Sequence, residues 1–164
     1  MNVMTSMASR KQKGFTLIEL VMVIVILGIL AAFALPRFAD LGSEAEAASI
    51  EGARGSVKSA LGIVRSTALA TGNGENTAAD AISLEGTDID LLNGYLAVES
   101  LEDAAQLTDF TVDITATPDG YVTTADPAES SPCFNFIGST ATNDPAEVSA
   151  VGEMNAGVDA CDVN

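Results

Sequence analysis

The sequence predicts an α+β chain, with one long amino-terminal helix whose second half packs on a small antiparallel sheet of about four strands. Three observations carry this. No charged residue lies between Glu19 and Arg37. Apolar residues then recur at three- and four-residue spacing as far as Ala68. Further on, Phe110, Val112, Ile114 and Ala116 alternate with Thr111, Asp113 and Thr115. With 164 residues the chain is long enough for one domain plus an extension, and too short for two independent cores.

The first half of the helix is apolar enough for lipid. From Leu20 to Pro36 there are 17 residues without a charge, and from Phe15 to Leu35 only Glu19 carries one. A helix of about 20 residues crosses the ~30 Å hydrocarbon core of a bilayer. Arg10, Lys11 and Lys13 precede the run and acids follow it, which places the N-terminus in the cytoplasm and the bulk outside. Three readings compete. A secretory signal peptide accounts for the basic start and for the small-x-small pattern Ala32-Phe33-Ala34, but not for the length of the run or for Glu19. A plain membrane anchor accounts for length and orientation and leaves the glutamate unexplained. A carboxylate costs about 2.5–3.5 kcal/mol at the centre of a membrane helix, and less near the interface, so it usually has a partner. The third reading supplies one. Cleavage between Gly14 and Phe15 creates an α-amino group four residues, about 6 Å along a helix, from Glu19. In a packed array of such helices, the amine of one copy neutralises the carboxylate of the next, and each charge is tolerable in an apolar core only when paired.

Lys13-Gly14-Phe15-Thr16-Leu17-Ile18-Glu19, followed by the apolar run and Pro36, resembles the class III signal of type IV pilins and related pseudopilins. The resemblance implies that a prepilin peptidase cuts after Gly14 and methylates the new terminus at Phe15. It also implies that Glu19 is the assembly glutamate and that Pro36 occupies a helix-kink position. Fourteen residues make a long leader; a start at Met7 instead of Met1 or Met4 leaves the more typical MASRKQKG, with the same mature chain.

The helix is expected to continue past Pro36, which lacks an amide hydrogen and kinks the rod. Phe38, Leu41, Ala45 and Ala48, then Ile50, Ala53, Val57, Leu61, Val64 and Ala68, mark its apolar stripe. Glu44, Glu46, Arg54 and Lys58 supply the wet face, with Glu51 and Arg54 spaced to pair. Gly28 lowers helix stability by up to about 1 kcal/mol relative to alanine, so the Gly28–Pro36 interval is the weakest part of the rod. In related filaments such a segment loosens; close helix packing at Gly28 is the other reading. Thr71-Gly72-Asn73-Gly74-Glu75-Asn76 ends the helix as a turn. Residues 71–107 are expected to be a connecting loop region, with Ser100-Leu101-Glu102-Asp103 as a capping box opening a short helix through Leu107. Asp88-Ile89-Asp90 with Asn93-Gly94 fails the spacing of a calcium loop, so no metal is expected.

Residues 108–164 hold the expected sheet. Phe110–Ala116 turns at Pro118-Asp119-Gly120 into Tyr121–Thr124, residues 133–137 form a third strand and residues 147–151 a weaker fourth. Behind an export-type N-terminus, the pair Cys133 and Cys161 points to a disulfide, with two buried free thiols as the alternative. A bridge over the 27 intervening residues contributes roughly 3.5 kcal/mol in the chain-entropy account. A helical rod on a small sheet with a C-terminal cysteine pair is similar to the pilin fold and its disulfide-bounded loop. Residues 36 to 61 (PRFADLGSEAEAASIEGARGSVKSAL) and Asn93-Gly94-Tyr95 further resemble mannose-sensitive haemagglutinin pilins, major subunits of pili used for surface attachment.

Charge excludes some functions. From Ser66 to Asn164 there are 18 acidic residues and no basic one, so nucleic acid is not expected as a partner. Without histidine, or a nucleophile beside a base, no catalytic residue and no cofactor is expected. The resemblance implies a structural subunit, residues 15–36 being the membrane or filament-core half of the helix and residues 37–70 its amphipathic half. Its implied partners are further copies of itself, the prepilin peptidase, an assembly ATPase, an inner-membrane platform, a secretin, minor pilins and, before assembly, the inner membrane. The implied end point is an extracellular pilus. The alternative is a type II secretion pseudopilin or minor pilin, a class that typically lacks the C-terminal disulfide. An electron-conducting fibre is disfavoured by a total of eight aromatic residues, several of them needed in the core.

Overall fold

The computed structural model describes residues 14–74, 80–141 and 143–163, excluding the side chains of residues 35–40 and of residue 80. The basic cluster Arg10, Lys11 and Lys13, the three possible starts, the end of the Thr71–Asn76 turn, and the side chains of Pro36 and Phe38 lie outside the described residues. The architecture is α+β. Helix α1 runs over Leu17–Thr71. The chain divides into two compact units, residues 1–41 and 42–164.

In the first unit, α1 holds its apolar side chains open. The window Leu17–Ala34 is long and apolar enough to cross a membrane, and none of it is buried within the chain. In the second unit, Ile50, Ala53, Val57, Ala60, Val64 and Ala68 are buried along one helical face. The expected stripe therefore begins at Ile50. Ala45 and Ala48 are exposed, because around Ser43, Glu46 and Ala47 the helix borders an open groove instead of the sheet. Leu41, at the end of the first unit, is exposed as well. The expected Glu51–Arg54 pair forms at 2.6 Å, and Arg54 also donates to the Ser149 carbonyl. At the C-terminus the Asn73 amide donates to the Ala68 carbonyl and the Gly72 amide to the Leu69 carbonyl, the two bonds of a Schellman motif. That motif needs a left-handed residue after the last turn, and Gly72 supplies φ +85°.

The region expected to be a connecting loop is largely a second sheet. Strands β1 (Asp80–Leu84), β2 (Thr87–Leu92) and β3 (Tyr95–Leu96) pair antiparallel in that order. Both connections are two-residue loops with positive φ at each position, Glu85-Gly86 and Asn93-Gly94, the type I′ geometry that matches strand twist. Ile82, Ile89 and Leu91 point into the core, whereas Asp88 and Asp90 are exposed. A 3₁₀ turn at Val98–Ser100 then leads into α2 (Leu101–Ala105), which stops at Gln106 in a left-handed cap, two residues short of Leu107. The expected capping box at Ser100 is absent. The Ser100 hydroxyl instead accepts from the Asp90 amide at 2.9 Å, so the side chain ties the turn to β2.

The larger sheet has six strands where about four were expected: β4 (Phe110–Asp113), β5 (Gly120–Thr124), β6 (Pro132–Ile137), β7 (Glu147–Val148), β8 (Gly152–Met154) and β9 (Cys161–Asp162). Their order is β4-β5-β6-β8-β9, with β7 also on β6. Strand β4 stops before Ile114, which is 42% exposed. The cause is local: Asp113 Oδ1 accepts from both the Thr115 hydroxyl and the Thr115 amide, diverting the chain into a turn. Those two bonds also hold the Asp113 carboxyl below its ordinary pKa. The reversal is made by Ala116–Asp119, with a cis Thr117–Pro118 peptide, while Gly120 already belongs to β5. The expected strand at residues 147–151 resolves into β7 and, beyond a break, β8.

Val122, Phe134 and Phe136 from this sheet meet the helix face and the smaller sheet in one core. Arg65 closes the structure at the far end of the helix. Its Nη1 donates to the Gly74 and Gly94 carbonyls at 2.6 and 3.0 Å, and its guanidinium lies 4.2 Å from the Tyr95 ring centroid. A Cβ on Gly94 would come within 2.5 Å of the Gly74 oxygen, so this approach needs glycine.

Cys133 and Cys161 are disulfide-bonded, joining β6 to β9 inside a small cluster with Met154. Replacing both cysteines by alanine is expected to lower the unfolding free energy by roughly 3.5 kcal/mol. Chemical denaturation of the full chain in detergent measures this, and a loss below about 1 kcal/mol would contradict the chain-entropy account.

Candidate functional site

The site the sequence singles out is the stretch from Gly14 to Glu19, at the entrance of α1. Gly14 and Phe15 precede the helix and are exposed, Phe15 to 93%. An added Cβ at Gly14 meets nothing within 4 Å. The fold itself thus places no steric demand for glycine there. The same holds at Gly28, which lies bare on α1.

Thr16 is the residue before the first helical one, and Glu19 is the third residue of the helix. Their side chains cap each other. The Thr16 amide donates to Glu19 Oε2 at 2.8 Å, and the Glu19 amide donates to Thr16 Oγ1 at 3.3 Å. These are the two reciprocal bonds of a capping box, which satisfies two of the amides that a helix start leaves without partners. The Thr16 hydroxyl also donates to Glu19 Oε2 at 2.8 Å. A carboxylate in the first turn is further favoured by the helix dipole. The sequence signal was present as Thr16-x-x-Glu19 directly before an apolar run, but reading Glu19 only against a neighbour's amine passes over it.

The consequence for Glu19 is specific. Its carboxylate is drawn back toward its own N-terminus, so part of the cost of placing it beside apolar residues is relieved within the chain. Oε2 takes both Thr16 bonds, and among the described residues Oε1 accepts none. Glu19 borders a shallow apolar concavity with Phe15, Leu20, Met22 and Val23. The site is therefore one charge with one free oxygen, set in an apolar surface beside the residue that would become the new terminus. The disulfide Cys133–Cys161 belongs to the other unit.

Residues 9–35 match the family model described as "Prokaryotic N-terminal methylation motif". The match is confined to the N-terminal segment and covers far less than half of the chain. The chain also resembles type IV pilins and fimbrial proteins. It is 53% identical over 53 residues to the "Type IV narrow pilus major component PilA5" of Thermus thermophilus, covering 32% of this chain and 46% of that one. It is 40% identical over 73 residues to a "Fimbrial protein" of Moraxella nonliquefaciens, covering 44% and 47%. Against the "Type IV major fimbrial protein FimA" of Dichelobacter nodosus, identity is 60% over 37 residues, 23% of each chain. The matches thus span less than half the length of these curated relatives. No solved structure matches the chain.

The capping geometry gives the methylation-motif segment a measurable signature. Thr16→Ala is expected to cost the helix start about 1 kcal/mol, raising amide exchange at Glu19 roughly fivefold, while Thr16→Ser leaves it nearly unchanged. Equal exchange in the alanine and serine variants, followed by NMR in detergent micelles, would show that the box contributes nothing.

Proposed function

We propose that this chain is a structural subunit of a bacterial type IV pilus. The observation that carries the reading is the methylation motif at residues 9–35 set at the head of an apolar helix that the chain leaves wholly exposed. Residues 1–14 are the leader, removed after Gly14. Phe15 becomes the N-methylated terminus. Before assembly the helix spans the inner membrane with its N-terminus cytoplasmic and the 42–164 unit periplasmic, and afterwards it lies in the core of an extracellular filament. The prepilin peptidase, an assembly ATPase, a membrane platform, a secretin and minor pilins are the machinery this route requires.

Two effects of different size act at Glu19. The capping box stabilises the helix start by about 1 kcal/mol. Burial of a carboxylate without a full partner costs several kcal/mol in an apolar core. The box alone is too small to offset the second term, which leaves the free Oε1 for the Phe15 amine of a neighbouring copy. Glu19 thus sets the axial register of one helix against the next. Gly28 and Pro36 mark the segment of the helix that loosens when the filament forms or is stretched.

The Cys133–Cys161 bridge and the pilus names carried by the relatives favour a pilus over a secretion pseudopilin. The finer reading, a major subunit of the mannose-sensitive haemagglutinin kind that supports surface attachment, rests on residues 36 to 61 and Asn93-Gly94-Tyr95. The type I′ turn and the Arg65–Tyr95 contact give the latter segment a structural reason to keep its residues. Glu19→Ala is expected to be inserted and cleaved normally yet to yield few or no filaments. Quantifying sheared filaments against processed membrane protein checks this, and a normal filament yield would sink the charge-pairing account.

A further inference from the structure

The chain after Gly14 carries 23 acidic residues against Arg37, Arg54, Lys58 and Arg65. Copies of so acidic a unit repel one another when packed. Two of the four cations are occupied within the chain: Arg54 by Glu51 and the Ser149 carbonyl, Arg65 by two carbonyls and the Tyr95 ring. Lys58 is exposed and, among the described residues, makes no hydrogen bond or ion pair. It is also the one lysine left once residues 1–14 are gone, since the other two are Lys11 and Lys13. Gly55 and Gly62, one turn to either side of it, have open space where a side chain would stand. The helix backbone can therefore be approached closely around the ammonium.

The complementary feature lies elsewhere on the same unit. An open groove of about 540 Å³ runs between the helix and the end of the larger sheet, lined by Ser43, Glu46, Glu153, Met154 and Asp162 among others. Glu153 and Asp162 are direct cross-strand partners in the β8–β9 ladder, and both are exposed. Like charges directly opposite each other destabilise a strand pair, and no cation among the described residues forms an ion pair with either of them. Among the described residues, no cluster of carboxylates is arranged to hold a metal ion. An ammonium on a flexible four-carbon stem suits the groove, because it can reach in and neutralise the pair without a fixed coordination geometry.

We infer that Lys58 of one subunit enters the Glu46, Glu153 and Asp162 groove of a second copy of this chain within the filament. This rests on the pilus reading and adds to it a contact between the acidic outer units, separate from the packing of the apolar helices. The contact removes the one unpaired described cation and the like-charge strand pair together. It also fixes the rotation of one outer unit against the next.

Carbodiimide coupling of sheared native filaments tests this, because it joins an amine to a carboxylate with no spacer. The expected result is a ladder of covalent multimers in which peptide mass spectrometry finds Lys58 joined to Glu153, Asp162 or Glu46. Filaments that give no such ladder, or in which Lys58 is joined only to other carboxylates, overturn the contact and leave the pilus reading standing. Failure of the native protein to form filaments overturns both. As a second arm, Lys58→Glu is expected to lower filament yield roughly fivefold, the upper range for one exposed pair. Adding Glu153→Lys to that variant is expected to restore the yield. An unchanged yield in Lys58→Glu, or no recovery in the double variant, counts against the contact.

Discussion

Between Leu17 and Phe33, thirteen large apolar side chains stay open to solvent. Leaving them in water costs roughly 20 kcal/mol, more than the 5–15 kcal/mol by which a typical domain is stable. This surface must therefore be covered by lipid or by other protein, and the remaining features can be understood from that constraint. A single charge stands in the stretch, at Glu19. The protein contains the cost of that charge by placing it in the first helical turn, where Thr16 and the helix dipole favour it. Among the described residues, one carboxylate oxygen is left over.

The 42–164 unit meets the opposite requirement. It has a helical face and two sheets to bury among themselves. The small side chains Ala53, Ala60 and Ala68 alternate with Ile50, Val57 and Val64 along the helix, so the sheet residues Phe134 and Phe136 can pack closely against it. The disulfide fixes the two-residue strand β9, which is too short to hold itself in place. Arg65 joins the helix end to the smaller sheet through backbone carbonyls, so its charge is spent on structure. The acidic surface keeps the unit soluble, and it also makes any close approach of two copies depend on the few cations left unpaired.

Most of the helix could be read from periodicity, because one buried face imposes a repeat on the residues, and the core strand expected at residues 133–137 begins one residue earlier. The helix end was equally plain, since Gly72 is the residue a left-handed cap prefers. The smaller sheet was missed for a physical reason. Its strands have two to six residues and its turns are Glu85-Gly86 and Asn93-Gly94, so each alternating run is too short to stand out. The Asn-Gly pair was the available signal, and it was weighed only as part of a calcium loop whose spacing fails, not as a hairpin turn. Ser100 and Thr16 show the limit of a motif taken alone. Both begin a Ser/Thr-x-x-acid pattern, but the Ser100 hydroxyl finds a better partner in β2, whereas among the described residues the Thr16 hydroxyl bonds only to Glu19. At the site, the segment from Gly14 to Glu19 was legible because it lies within a recognisable motif, which the family model also matches over residues 9–35. The internal role of Glu19 became visible only from the geometry.

Intact mass spectrometry on filaments sheared from the native cell surface tests the central claim most directly. The account predicts a species that begins at Phe15, carries one additional methyl group and lacks two hydrogens at the Cys133–Cys161 bridge. Finding that species only in the membrane fraction, or a surface species that retains residues 1–14, would contradict it.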